Sequence, residues 1–169
     1  MKCILPPIVA VVGLSDSGKT TLMVDLIPEM RRHGLRVGTI KHHPHDLDVE
    51  LPGKDTWKHR RAGADGTVLS TPSTIAVIRS AGRDHSPAEL AGLLADMDIV
   101  LAEGYKNAEV PKVEVHRADL GRPPLCLDDP FLLALVTEAD VPLSPVPRFH
   151  PRDASGLARF LLRRLGLRP

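Results

Sequence analysis

Short apolar, β-branched runs alternate along the chain with segments in which apolar residues recur at helical spacing. The first run, Ile8–Val12, is typical of a strand that is buried on both faces of a parallel sheet. Residues 22–30 then carry an apolar residue at every fourth position, which predicts a helix that extends to about Arg32. Pro28 lies inside this helix and is expected to kink it, and Gly34 is expected to end it.

The same periodicities predict the remaining elements. Ser86, Pro87 and Glu89 form a capping-box sequence, and Pro72 separates two β-rich runs that are predicted to form a hairpin. Strands are predicted at residues 35–40, 66–71, 73–79, 97–104, 111–116 and 131–136, and helices at residues 54–63, 86–95 and from 153 onward. We therefore predict an α/β fold: a mainly parallel central sheet with flanking helices and a β-hairpin extension, all within a single domain spanning residues 1–169.

The turn between the first strand and the first helix matches a phosphate-binding loop. Its sequence from Gly13 to Thr20, Gly-Leu-Ser-Asp-Ser-Gly-Lys-Thr, fits the spacing Gly-x-x-x-x-Gly-Lys-[Ser/Thr]. Such a turn points backbone N–H groups and a helix N-terminus at phosphate oxygens, so Lys19 is predicted to reach the β- and γ-phosphates and Thr20 to hold Mg²⁺. Further donors are predicted at Gly13, Ser15, Ser17, Gly18 and Thr21.

The alternative for this loop is a chance match, and the strand and helix on either side argue against it. The predicted fold is therefore that of a phosphate-loop NTPase, and the chain is expected to bind a nucleotide. Asp16 lies inside the loop, where a carboxylate facing the phosphates would repel them, so its side chain is expected to face outward.

Glu103 ends the apolar strand predicted at residues 97–104. In phosphate-loop proteins such a strand brings an acidic residue towards Mg²⁺, here from the side opposite Thr20, which would give Glu103 a metal-binding or water-positioning role. The alternative is a surface salt bridge at the end of a strand. Lys106 is a weaker candidate for an anion contact.

The second predicted strand ends in the sequence Lys41-His42-His43-Pro44-His45-Asp46. Because ligands of open α/β sheets gather at the carboxyl ends of strands, Lys41, His42 and His45 are candidate nucleotide contacts, together with the basic run at residues 54–61. Imidazole and carboxylate groups such as those of His42, His45 and Asp46 can also bind a transition metal, or can simply form a polar surface. Lys54 and Asp55 are equally compatible with a structural turn.

The sequence Thr137-Glu138-Ala139-Asp140 follows the last strong strand. It partly matches the [Asn/Thr]-Lys-x-Asp pattern of GTP-binding proteins, whose aspartate accepts two hydrogen bonds from guanine. Asp140 is therefore a candidate for reading guanine, and the alternative is a plain turn before Pro142.

Composition limits which binding partners and which cellular compartment are expected. The formal net charge is +1, which gives no bulk field for nucleic acid or an anionic membrane, and no apolar run approaches the length of a membrane span. Cys3 and Cys126 are the two cysteines and have no metal-type spacing. We therefore expect a cytoplasmic protein without nucleic-acid or membrane partners. The arginines of the last helix are expected to form a solvated face.

Four segments together resemble the molybdopterin-guanine dinucleotide biosynthesis protein B (MobB) family. They are residues 13–21, Gly-Thr-Ile-Lys-His-His-Pro-His-Asp at 38–46, Pro-Gly-Lys-Asp-Thr at 52–56 and Ala-Glu-Gly-Tyr-Lys at 102–106. The resemblance extends from about residue 8 to 165, and residues 61–64 and Asp140–Leu143 also resemble the family's sequences. It implies GTP binding, weak GTPase activity and a homodimer. It also implies assistance to the molybdopterin guanylyltransferase that joins GMP to molybdopterin, alongside other molybdenum-cofactor biosynthesis proteins. Asp16 departs from the small uncharged residue that is usual in the family's loop.

Under this resemblance, the phosphate of molybdopterin is a second candidate ligand for the histidine-rich loop. Two other functions use some of the same residues. A small-molecule kinase would share the phosphate loop and need a lid, to which Arg60 and Arg61 could belong, and a GTP-dependent metallochaperone would use the histidine-rich loop. Slow hydrolysis is favoured because no arginine or glutamine stands in an obvious water-positioning place in the sequence.

Overall fold

The computed structural model describes residues 5–141 and 144–167. Contacts between Cα atoms divide the chain into two compact units. We call residues 43–85 the hairpin unit, and the described residues up to 42 and from 86 onward the main unit. Each is described by itself.

Apart from the short last strand, the strands and α-helices follow the chain in the order that the sequence predicts. The strands are β1 (Ile8–Val12), β2 (Val37–Lys41), β3 (Gly66–Ser70), β4 (Ile75–Arg79), β5 (Ile99–Glu103), β6 (Lys112–Val115), β7 (Leu132–Val136) and β8 (Arg148–Phe149). The helices are α1 (Lys19–Arg32), α2 (Asp55–Arg61), α3 (Pro87–Ala91) and α4 (Ala154–Leu165), with single 3₁₀ turns at Gly92–Leu94 and Ala118–Leu120.

The main unit contains a six-stranded sheet in the order β2-β5-β1-β6-β7-β8, and every pairing in it is parallel. The predicted mainly parallel sheet with flanking helices is therefore confirmed. Because the strands run in one direction, all their carboxyl ends lie at one edge of the sheet. The loop after β1 is consequently flanked by the ends of β5 and β6, which is where ligands of open α/β sheets bind.

Both faces of β1 are covered, as its uninterrupted apolar sequence predicts. Val9 and Val11 pack with the buried side chains of α1 and α4, including Leu26 and Leu161. The alternate residues of β1 pack on the opposite face in a smaller cluster that includes Cys126. Burial of each large aliphatic side chain contributes roughly 1.5–3 kcal/mol, so the strand that carries the loop is firmly fixed.

The helix ends follow local sequence signals. Beyond α1, Gly34 has a φ of 81° and donates its N–H to the Arg31 carbonyl, while Leu35 donates to the Met30 carbonyl, which ends the helix as predicted. Pro28 lies inside α1. Ser86 and Glu89 form the predicted capping box.

The hairpin unit contains the antiparallel pair β3–β4, which confirms the predicted hairpin. Val68 lies opposite Val77, and Ser70 lies opposite Ile75, so these four side chains share one face of the two-stranded sheet. Val68, Val77 and Ile75 are exposed. The unit therefore presents an apolar face, which we call the hairpin face.

Two boundaries differ from the sequence expectation. The helix predicted over 86–95 is α-helical only to Ala91 and continues as a 3₁₀ turn. The strand β8 was not expected, because two residues are too short to show a periodicity; it joins the sheet edge by pairing Phe149 with Val136.

Pro142 and Leu143, which belong to a segment that resembles the family, lie outside the described residues, as does Cys3. Among the described residues, no helix is both long and apolar enough to cross a bilayer.

Candidate functional site

The loop after β1 has the tight backbone of a phosphate cradle. Gly13 has a φ of 143° and Gly18 a φ of 96°. A Cβ atom at Gly13 would lie 2.3 Å from the Val115 carbonyl oxygen and 2.7 Å from Ser17 Oγ, so only glycine fits there. Gly13 is thus explained by the close approach of the loop to the end of β6, and Gly18 by its left-handed φ.

Asp16, whose side chain is expected to face away from the cradle, is exposed to solvent. Its φ of 61° is left-handed, a conformation that suits glycine and that aspartate and asparagine tolerate better than other residues. The backbone at position 16 therefore explains why a glycine suits this place in the loop. The Asp16 carbonyl oxygen accepts a hydrogen bond of 3.2 Å from Arg117 Nη1.

Ser17 contributes the only hydroxyl oxygen of the described part of this loop that is both buried and without a hydrogen-bond partner. An unsatisfied buried hydroxyl costs free energy unless a ligand, water or ion completes it. Ser17 was predicted as a phosphate donor, and its position in the cradle fits a ligand that accepts hydrogen bonds.

Lys19 begins α1 and folds back over the loop. Its Nζ donates hydrogen bonds to the carbonyl oxygens of Gly13, at 3.1 Å, and Leu14, at 2.6 Å. Burial lowers the pKa of Lys19 from its ordinary value; the Glu103 carboxylate opposes this shift, and the Lys41 ammonium adds to it. The Lys19 ammonium thus lies over the loop that the sequence predicts to bind phosphate.

Glu103 ends β5 beside the loop, and its side chain is only 11% exposed. Its Oε1 atom accepts a hydrogen bond of 2.9 Å from the Thr20 hydroxyl and a second one of 3.1 Å from Lys41 Nζ. Lys41 reaches Glu103 because the two residues are direct partners in the parallel register of β2 and β5. The structure therefore brings together Thr20, Glu103 and Lys41, which the sequence could place only at the ends of separate elements.

Hydroxyl and carboxylate oxygens are the ligands that Mg²⁺ prefers, and in phosphate-loop proteins the remaining positions are filled by phosphate and water. Thr20 and Glu103 thus fit a Mg²⁺ ion bound beside the triphosphate. Among the described residues there is no group of three or more His, Cys, Asp or Glu side chains that could hold a metal by protein ligands alone.

A depression of about 620 Å³ extends from the loop along the carboxyl ends of β6 and β7. Ser17, Gly18 and Thr21 line it on the side of the loop and α1, and Arg117 and Glu138 line it further away. Its position next to the phosphate cradle and its size suit the ribose and base of a nucleotide.

Asp140 does not line this depression. Its carboxylate pairs with Arg148 Nη1 at 2.6 Å, its side chain is 79% exposed, and it belongs to a neighbouring surface depression. Glu138, two residues earlier, lines both depressions and lies 3.3 Å from His150 Nε2. The turn after β7 thus offers two carboxylates in different positions.

His116 fixes the turn after β7 to the end of β6. Its Nε2 lies 2.9 Å from the Arg122 carbonyl oxygen, to which only a protonated nitrogen can donate. In the tautomer with the proton on Nε2, Nδ1 accepts a hydrogen bond of 3.0 Å from the Thr137 hydroxyl, and the oxygen of that hydroxyl accepts from the Ala139 N–H. This buried chain of hydrogen bonds holds one wall of the depression in place.

The histidine-rich loop is divided between the two units. His42 belongs to the main unit, where its N–H donates to the Glu103 carbonyl oxygen at 3.0 Å and its ring lies 4.5 Å from that of Tyr105. His45 and Asp46 belong to the hairpin unit, where His45 contacts His43. The structure therefore places His42 against the strand end that carries Glu103.

The other candidates lie on surfaces. Lys106 is exposed. Lys54 precedes α2 as its N-cap and Asp55 lies in the first turn, which fits the structural role that the sequence left open.

Cys126 is buried and unpaired, and burial raises the pKa of its thiol to about 11.

Sequence reasoning missed Arg117, which contacts the phosphate loop and is held by Asp119 through Nε at 3.1 Å. The available signal was its position immediately after a predicted strand of a parallel sheet. It also missed that Lys41 and Thr20 share one oxygen of Glu103, since this follows only from the order of the strands.

Known proteins resemble the chain in sequence and in fold. The family model described as molybdopterin guanine dinucleotide synthesis protein B matches residues 8–138. The molybdopterin-guanine dinucleotide biosynthesis adapter protein of Escherichia coli is 36% identical over 163 residues, covering 92% of this chain and 91% of its own length. The protein of the same name from Haemophilus influenzae is 35% identical over 133 residues, covering 78% and 74%.

Solved structures agree. The crystal structure of Bacillus subtilis MobB superimposes with a TM-score of 0.73 at 26% identity, covering 94% of this chain and 97% of that one. A MobB homologue from Bacillus stearothermophilus gives a TM-score of 0.67 at 26% identity, covering 95% and 99%.

Proposed function

The chain belongs to the MobB family, and from this premise we propose that it binds GTP with Mg²⁺ and acts as an adaptor in molybdenum-cofactor biosynthesis. The adaptor role comes from relatives that are named as adapter proteins and match along most of their length. The nucleotide role rests on the site itself. The observation that carries it is the meeting of Lys19, Thr20 and Glu103 at one phosphate cradle.

The residues divide the work of binding a nucleotide. Backbone N–H groups of the loop, with the hydroxyls of Ser15, Ser17 and Thr21, surround the phosphates, and Lys19 moves from the Gly13 and Leu14 carbonyls to the β- and γ-phosphates. Thr20 and Glu103 would hold Mg²⁺, which would supply positive charge to neutralise the phosphates.

Hydrolysis is proposed to be slow. Arg117 is the arginine that contacts the loop, but it donates to the Asp16 carbonyl and is held by Asp119, so it is not directed at a γ-phosphate. Without a group that neutralises the transferring phosphoryl group, a phosphate-loop protein turns over slowly. A nucleotide that persists suits an adaptor, which has to stay assembled with its partner enzyme.

Guanine recognition is assigned to the turn after β7. The sequence pattern suggests Asp140, whereas the lining of the nucleotide-sized depression suggests Glu138. A carboxylate accepts hydrogen bonds from two adjacent N–H groups of guanine, which adenine lacks in that arrangement. His42, His45 and Lys41 remain candidates for contacts to the nucleotide or to the phosphate of molybdopterin.

A homodimer is proposed to form through the hairpin face. The exposed fractions of Val68, Val77 and Ile75 are 64%, 57% and 71%. A two-stranded sheet is marginal by itself, and adjacent exposed apolar side chains indicate an association surface. A second copy of the chain would supply the same face, which is the self-complementary contact that a two-fold dimer needs.

The partner enzyme is proposed to be the molybdopterin guanylyltransferase, met in the cytoplasm together with other molybdenum-cofactor biosynthesis proteins. We propose that residues 1–169 form one GTP-binding domain, in which the main unit holds the nucleotide and the hairpin unit serves association.

Thermal unfolding of the Lys19→Ala variant tests nucleotide binding. A ligand present at about 100 times its Kd stabilises the wild type by about 2.7 kcal/mol, and this gain should vanish when the cradle loses its lysine. Arg32→Ala, at the far end of α1, is the matched control because it removes a cation of the same helix and should leave the gain intact. Equal protection by GTP in the Lys19→Ala variant would remove the basis of the proposal.

Following the γ-phosphate separates the adaptor from a small-molecule kinase. With labelled GTP and molybdopterin present, we expect label only in inorganic phosphate, whereas a kinase would transfer it to the small molecule. For the metallochaperone alternative, equilibrium dialysis with nickel or zinc is decisive, because such a protein must retain one of these ions at micromolar concentration.

A further inference from the structure

We propose that Lys41 competes with Mg²⁺ for Glu103, so that binding of the metal requires the ammonium of Lys41 to leave the carboxylate. This inference rests on the proposed binding of GTP with Mg²⁺. It assigns Lys41 the role of an exchangeable cation rather than that of a permanent structural partner.

The competition follows from a shared atom. Lys41 Nζ lies 3.1 Å from Oε1 of Glu103, the same oxygen that accepts the Thr20 hydrogen bond at 2.9 Å. A Mg²⁺ ion held between Thr20 and Glu103 would lie about 2.1 Å from each ligating oxygen. The ammonium would then be within a few ångströms of a divalent cation, and like charges at that distance repel strongly in a partly buried site.

The two partners differ in their freedom to move. The Glu103 side chain is 11% exposed and is fixed at the end of an internal strand of the sheet, whereas the Lys41 side chain is 61% exposed. Lys41 can therefore turn its ammonium into water at little cost. Glu103 cannot follow it, because a buried carboxylate needs a cation or hydrogen-bond donors where it stands.

The ion pair between Lys41 and Glu103 also has a role in the metal-free protein. Without Lys41, the carboxylate would lose its hydrogen bond from an ammonium and keep the one from the Thr20 hydroxyl. The ammonium thus holds Glu103 in the orientation that it needs towards Thr20. The consequence is that the affinity for Mg²⁺ is lowered by the free energy needed to separate the ion pair.

Two other roles for Lys41 predict different results. A permanent structural ion pair would affect folding stability and leave the affinity for the metal unchanged. A phosphate ligand would strengthen GTP binding, and its removal would weaken GTP and the metal together.

The test is the affinity for Mn²⁺, used as a spin-active substitute for Mg²⁺, in the presence of a saturating non-hydrolysable GTP analogue. Free Mn²⁺ is measured by electron paramagnetic resonance for the wild type, Lys41→Met, Lys41→Arg and Arg36→Met. Arg36→Met is the matched control, because Arg36 pairs with Asp98 at 3.0 Å and so joins the opposite ends of the same two strands.

We expect Lys41→Met to lower the Kd for Mn²⁺ by about three- to fivefold, the size of a partly exposed ion pair. Lys41→Arg, which keeps the cation, and Arg36→Met should both stay close to the wild type. An unchanged Kd in Lys41→Met would overturn the inference in favour of a structural pair. A higher Kd, together with weaker binding of the analogue in EDTA, would overturn it in favour of a phosphate ligand.

The same titration separates failure of this inference from failure of the proposed function. If the wild type binds the analogue and Mn²⁺ but Lys41→Met has the same Kd as the wild type, only the role of Lys41 is wrong. If the wild type binds neither the analogue nor Mn²⁺, both proposals are wrong.

Discussion

The hydroxyl of Thr20 donates a hydrogen bond of 2.9 Å to Oε1 of Glu103, although 83 residues separate the two in sequence. Thr20 lies in the first turn of α1, and Glu103 is the last residue of β5. They meet because β5 lies beside β1 in the sheet, so the end of β5 flanks the loop that leads into α1.

Replacement of Thr20 by valine tests whether this pair orients Mg²⁺. Valine keeps the shape of threonine but has no hydroxyl, so Mg²⁺ should no longer increase the thermal protection given by GTP. Loss of a hydrogen bond to a charged group should also lower the free energy of unfolding by about 1.5–3 kcal/mol without ligand. Differential scanning calorimetry with and without Mg²⁺ measures both effects. Thr20→Ser, which restores the hydroxyl, should behave as the wild type; a Thr20→Val variant that still responds to Mg²⁺ would exclude this role.

Asp16 combines a left-handed backbone with a negative charge next to the phosphate cradle. Asp16→Asn removes the charge and tolerates the same backbone, so it should bind GTP about two- to fivefold more tightly, as expected from one solvent-screened charge a few ångströms away. Isothermal titration calorimetry at low salt measures this change. Asp16→Val should instead lower the free energy of unfolding by about 1–2 kcal/mol, because a β-branched residue is strained at this φ. If Asp16→Asn left the affinity for GTP unchanged, the carboxylate would be too far from the nucleotide to matter.

The elements that the sequence predicts best are those with both faces buried. Ile8–Val12 and the last strong strand, Leu132–Val136, read as apolar runs because helices or loops cover each side of them, and both are strands of the sheet. The phosphate loop was equally predictable, since its glycines have backbone conformations that other residues rarely adopt, with φ values of 143° at Gly13 and 96° at Gly18. These features depend on near neighbours in sequence.

The features that escaped prediction depend on which strands become neighbours. That Lys41 faces Glu103 follows from the pairing of β2 with β5, and apolar periodicity carries no information about strand order. Arg117 was missed for the same reason, because only the position of β6 beside β1 brings it to Asp16. The left-handed φ of Asp16 was missed because the residue itself is not glycine.

Glu138 and Asp140 are the two carboxylates in the turn after β7, and comparing nucleotides with different bases shows which of them recognises guanine. Xanthine carries a carbonyl where guanine carries an amino group, so an amide in place of the reading carboxylate shifts preference from GTP to XTP. Because Glu138 lines the depression beside the phosphate loop, we expect Glu138→Gln to reduce the ratio of GTP to XTP affinity by about tenfold or more, the loss of one charged hydrogen bond. Asp140→Asn should leave this ratio nearly unchanged. Competition binding with both nucleotides measures it, and a shift confined to Asp140→Asn would assign the role to Asp140.

Val77 tests the proposed association of two chains through the hairpin face. It lies opposite Val68, and both side chains are more than half exposed, so a lysine at position 77 would be tolerated by an isolated chain. In a two-fold dimer the substitution occurs twice at one interface. Each copy loses the burial of a valine, which contributes roughly 1.5 kcal/mol or more, and adds a charge that must be desolvated. Because both copies carry the change, the Kd of the dimer should increase at least about 100-fold. Light scattering during size-exclusion chromatography should then show a monomer at concentrations where the wild type is dimeric.

Val24→Lys is the matched control for this experiment, because Val24 has a similar exposed fraction, 63%, but lies on α1 in the main unit. It makes the same chemical change on a different surface and should leave the dimer intact. Circular dichroism of both variants confirms that each is folded before its mass is compared. A dimer that survives Val77→Lys, or that is lost with Val24→Lys, would place the interface outside the hairpin face. The reason is that an apolar two-fold interface cannot bury the ammonium of a lysine without a large desolvation cost.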